Sequence, residues 1–203
     1  MFWKEESMSL YSRSLKNILL FFISVFWISS VAAQEMTVQV ILTDALQERN
    51  EVPYTRPMLS WDDFNGKPDH RSEWTAMTYS GIKLRYEYKH QNKQYSVKVM
   101  LYPYMDKARS WYKEEGHNDY TLAHEQRHFD ITMLITHQLA EELRQAHYST
   151  KNFAQQINNI HEQYLEKLRQ MQDDYDKETN HGIHKVKQGL WNRKIARELG
   201  KLE

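Results

Sequence analysis

The chain has 203 residues, long enough for one domain with its own core. Its 27 Lys and Arg balance 27 Asp and Glu, which excludes the basic footprint of a nucleic-acid binder. With no cysteine, disulfides, thiolate metal sites and a cysteine nucleophile are excluded as well.

The chain opens on an address. Lys4, Arg13 and Lys16 precede the apolar run 18–28, and the small residues Ser29, Ser30, Ala32 and Ala33 follow. Basic, apolar and small segments in that order read as a secretory signal peptide over residues 1–33, cut after Ala33. The apolar run is shorter than the roughly 20 residues that span a bilayer. The mature chain, from Gln34, is therefore expected to be exported without a stable membrane anchor, to the periplasm or beyond.

Residues 37–42 are rich in β-branched side chains and read as a strand. Pro53 and Pro57 punctuate a loop, and residues 59–68 mix aromatic residues with Asp, Asn, Gly and Pro in a structured loop. Ile82, Leu84, Tyr86 and Tyr88 then alternate with polar residues, as do Tyr95, Val97, Val99 and Leu101. Two such runs joined by the polar stretch 90–94 predict an antiparallel hairpin, with residues 75–80 as a third strand. Asn118 or Asp119 can cap a helix running to about Ala146, and Thr150 can cap a second. In the second, Phe153, Ile157, Ile160, Tyr164, Leu168, Met171 and Tyr175 recur at steps of three and four, which makes one apolar face. Gly182 follows its end, and Val186, Leu190, Ile195 and Leu199 are expected to line a last short helix. Strands followed by helices predict an α+β fold, a small antiparallel sheet followed by a helical half, as a single domain over 34–203.

The chemistry is concentrated in Leu122-Ala-His-Glu-Gln-Arg-His-Phe-Asp130, which contains His124-Glu125-X-X-His128. A helix turns by about 100° per residue, so positions four apart lie about 40° apart on one face. Both imidazoles can reach one ion. Zinc suits them because it accepts neutral imidazole nitrogens and keeps a position open for water. Glu125, beside the pair, is placed to act as the general base. Two histidines do not complete a site. The candidates for a third ligand are His181, His184, Glu162, Glu166, Asp130 and Asp176, and spacing alone does not choose among them.

Three blocks resemble the bacterial family of predicted secreted zinc-dependent proteases known as domain of unknown function 922. They are Leu59-Ser-Trp-Asp-Asp-Phe-Asn-Gly66; Ser110-Trp111 with Leu122-Ala-His-Glu-Gln-Arg-His-Phe-Asp-Ile131; and Tyr175-Asp-Lys-Glu-Thr-Asn-His-Gly182 with Gln188 and Trp191. The resemblance implies a zincin-like fold, one zinc ion, His124 and His128 as ligands and Glu125 as the catalytic residue. It raises His181, within Thr-X-His-Gly, above the other third-ligand candidates. The expected activity is hydrolysis of a peptide or protein substrate. The alternative is a non-catalytic envelope binding module with a structural zinc.

Overall fold

The computed structural model describes residues 36–54, 58–92 and 94–202; the segment read as a signal peptide lies outside them. The longest strand, β5 (Gln94–Asp106), organises the sheet. β4 (Ser80–Gln91) runs antiparallel along one edge of β5, and the pairs Leu84↔Leu101 and Tyr86↔Val99 realise the expected hairpin. The other edge takes β1 (Met36–Leu42) in parallel and β2 (Glu51–Pro53) antiparallel. The sheet is therefore mixed rather than purely antiparallel. Alternation marks which residues face the core, but it does not carry strand direction. The expected third strand shrinks to β3 (Ala76–Met77), which pairs with β6 (Trp111–Tyr112) in a separate two-stranded sheet.

Three helices follow: α1 (Asp119–Gln145), α2 (Phe153–Thr179) and α3 (Lys185–Leu199). The fold is α+β. Asn118 caps α1, its side chain accepting from Thr121 N at 3.0 Å. Thr150 does not cap α2, which starts later, at Phe153; Asn152 N and Phe153 N instead donate to Ser149 O. Among the described residues no helix is long and apolar enough to cross a membrane.

The core lies between the sheet and α1 and extends under α2 and α3. Val97, Val99 and Leu101 of β5 meet Ile131, Ile135 and Leu139 of α1, with Ile157, Leu168 and Tyr175 of α2 behind them. Each fully buried aliphatic side chain contributes about 1.5–3 kcal/mol. A second cluster joins Leu59 and Phe64 to Met105 and Phe129, and so anchors the 59–66 block to α1. The stripe expected on α3 is half wrong. Its buried ridge is Gln188, Trp191 and Ile195, while Val186 is 71% and Leu190 49% exposed. The ridge holds Gln188 in place of the expected Val186 and Leu190.

Candidate metal centre

His124, Glu125 and His128 are all buried near the start of α1, with the two imidazole centroids 5.0 Å apart. The Tyr175 ring of α2 supports both, stacked on His124 at 4.7 Å and edge-on to His128 at 4.9 Å. One residue further along α2, the Asp176 carboxylate enters the same space. Its Oδ1 lies 3.2 Å from His124 Nε2 and 3.0 Å from His128 Nε2. One ligand atom from each of the three residues falls within 4.8 Å of the other two.

The turn after α2 is held in an unusual backbone. Asn180, His181 and Gly182 have φ of 47°, 50° and 84°, all in the left-handed region. His181 N donates back to Asp176 O at 2.9 Å, and Tyr120 OH of α1 donates to Gly182 O at 2.6 Å. Gly182 is needed twice over. Its φ suits glycine, and a Cβ there would lie 3.2 Å from His124 Nδ1. The turn sets the His181 ring on Trp74, centroids 3.2 Å apart, and its Nδ1 3.4 Å from Asp176 Oδ2.

The structure thus brings together His124, His128 and Asp176, with His181 against the outer oxygen of the carboxylate rather than within the three. The remaining third-ligand candidates lie apart from them. His184 is the exposed N-cap of α3, and its Nδ1 accepts from Lys187 N. Glu162 is exposed, and Glu166 pairs with Arg169 at the surface. Asp130 is buried elsewhere on α1, where it accepts from Tyr54 OH at 2.7 Å and Gln126 Nε2 at 2.9 Å and pairs with Arg127.

The charges reinforce one another. Burial alone would lower the His128 pKa, but the hydrogen bond and charge of Asp176 outweigh it and raise the value to about 9. Burial would raise the Asp176 pKa, and the two imidazoles instead hold it well below the usual carboxylate range. Burial lowers the His181 pKa.

Two features test whether these residues fit a metal. The set of two imidazoles and one carboxylate is a zinc-type donor set. Beside it, Glu125 Oε2 is buried with no hydrogen-bond partner among the described residues, so a carboxylate oxygen is left for something not made of protein. Both features fit a metal with a water next to it. The cluster lines a cleft of about 840 Å³ between residues 73–82 and the α2–α3 turn. Two glutamines that sequence reasoning gave no role back the histidines. Gln188 Oε1 lies 2.9 Å from His124 Nδ1, and Gln172 Oε1 makes a short contact with His128 Nδ1. The available signal for Gln188 was its place, with Trp191, in the third of the blocks that carry the family resemblance.

An α+β chain with a two-histidine, one-carboxylate cluster at the wall of a cleft is the class defined by fold and geometry. The family described as bacterial protein of unknown function (DUF922) matches residues 61–182, more than half of the chain, and the chain belongs to that family. No curated protein and no solved structure matches it.

Proposed function

We propose that the chain is an exported zinc-dependent metallopeptidase of zincin-like build, with one ion held by His124, His128 and Asp176. The observation that carries this reading is the approach of His124 Nε2 and His128 Nε2 to one oxygen of Asp176, at 3.2 and 3.0 Å, beside the unpartnered Oε2 of Glu125. Zinc in such a donor set keeps a position open and acidifies a water there. Glu125 Oε2 then accepts a proton from the attacking water as its oxygen bonds to the scissile carbonyl carbon. The same carboxylic acid returns the proton to the amine nitrogen as the C–N bond breaks. An extended peptide has a wall to lie against. β3 pairs with β6 on one side, and Ala76 and Met77 line the cleft. The tyrosines near the site are already engaged. Tyr175 OH donates to His124 O and Tyr120 OH to Gly182 O.

The test is Glu125→Gln, which keeps the side chain's size and removes its basicity. The variant should retain stoichiometric zinc and lose about 10²–10⁴ in the rate of peptide cleavage. Cleavage at the wild-type rate would sink the mechanism. A second reading, a structural zinc module, gains its support from His181, whose Nδ1 is 3.4 Å from Asp176 Oδ2 and would have to shift inward to close the set as a fourth ligand. X-ray absorption of the zinc-loaded protein separates the two: three protein ligands and a water favour the peptidase, four protein ligands the module.

A further inference from the structure

Gln188 lies in the buried ridge of α3, and Gln172 reaches His128 from α2. Amides in such places destabilise a fold unless their polar groups are used. Here both amides are fully engaged. Gln188 Nε2 donates to the Tyr175 hydroxyl at 2.6 Å and to Asn192 Oδ1 at 2.8 Å. Gln172 Nε2 donates to His128 O at 2.9 Å and reaches Thr132 Oγ1 at 3.3 Å and Ser80 Oγ at 3.4 Å.

These partners fix which way each amide points. Turned over, Gln172 would set its oxygen against the carbonyl oxygen of His128. Gln188 turned over would meet a Tyr175 hydroxyl whose proton is already given to His124 O. The two Oε1 atoms are therefore the ones that face the rings, and an amide oxygen only accepts. We propose that Gln172 and Gln188 are positioning residues that set the tautomers of His128 and His124. Each neutral ring then keeps its proton on Nδ1, which would leave Nε2 free to bind a metal ion beside Asp176. The two Nε2 atoms face one carboxylate oxygen at 3.0 and 3.2 Å, an arrangement that needs positive charge between them: a proton in the metal-free protein, or a metal ion in its place. The proposal rests on the metal-centre reading above.

The experiment combines nitrogen-15 spectra of the imidazoles with zinc affinity measured by chelator competition. In zinc-loaded wild-type protein both rings should show the proton on Nδ1. Gln172→Met and Gln188→Met remove the acceptor and should each weaken zinc binding about 10–100-fold. Gln188→Glu keeps an acceptor at Nδ1 of His124 and sets its other oxygen against the Tyr175 hydroxyl, which can donate to it, so it should hold zinc within a few-fold of wild type. In the zinc-loaded protein, a ring protonated on Nε2 overturns the proposal, and so does a Gln188→Glu loss as large as that of Gln188→Met. If the Met variants do not fold, the wild-type spectra still decide. Wild-type protein that takes up no zinc refutes the metal centre itself, whereas zinc uptake with a ring protonated on Nε2 refutes only the role given to the glutamines.

Discussion

Gly182→Ala tests the turn that seats the cluster. At φ 84° an L-residue is strained, which costs about 1–2 kcal/mol. The new Cβ would also stand 3.2 Å from Nδ1 and 3.3 Å from Cγ of His124, so the ring must retreat by a few tenths of an ångström. That ring is held by Gln188 at 2.9 Å and by Asp176 at 3.2 Å, and weakening one such bond costs a further ~0.5–1.5 kcal/mol. The total, roughly 1.5–3.5 kcal/mol, corresponds to a fall in Tm of about 3–14 °C for a chain of this size. Calorimetry in excess chelator measures it without any metal contribution. Gly182→Asn separates the two parts, because Asn tolerates the left-handed region but keeps the Cβ contact, so its Tm should fall between those of wild type and Gly182→Ala. A Gly182→Ala protein that melts within about 1 °C of wild type would refute both the left-handed turn and its contact with His124.

Elemental analysis should rank the ligands: His128→Ala and Asp176→Asn lose most of the zinc, and His181→Ala loses less than either. Near-complete loss with His181→Ala alone would transfer the third place to that residue. On α3, Trp191→Ala should cost about 3–5 kcal/mol by urea unfolding, whereas Leu190→Ser stays within about 0.5 kcal/mol. Equal costs would mean that the buried ridge has been assigned to the wrong face.

Much of this was legible in the chain because it is local. The 82–101 hairpin announced itself by alternation, and α1 by a cap and a motif whose spacing is helical. The 157–175 stripe showed which face of α2 is buried. What stayed hidden is what distant segments decide. Asp176 was one of six third-ligand candidates, since nothing in an Asp distinguishes one that meets two imidazoles from one at the surface. His181 stood out through a motif resemblance, and it comes close, but the left-handed turn lays its ring on Trp74. On α3 the apolar residues Val186 and Leu190 suggested a buried face that Gln188 occupies instead. That glutamine is buried because His124, Tyr175 and Asn192 satisfy its amide, and only the folded chain brings those groups together.

The central place of β5 also bears on the order in which the sheet assembles. β4 reaches β5 through the short turn after Gln91, and hairpins of that kind close in about 1–10 μs. β1 must wait for the whole intervening chain, with β2, β3 and β4 in it, before Met36 can pair with Tyr95. Closing so long a loop spends chain entropy before any contact returns it, so β1 is expected to dock last. Its amides at Val38 and Val40 should then exchange with solvent sooner than those of Val97 and Val99; equal protection would mean that the sheet opens as one unit. As the edge strand added last, β1 is where the folded protein opens at the smallest free-energy cost, which leaves the side of β5 that it covers as the segment most exposed to pairing with another chain.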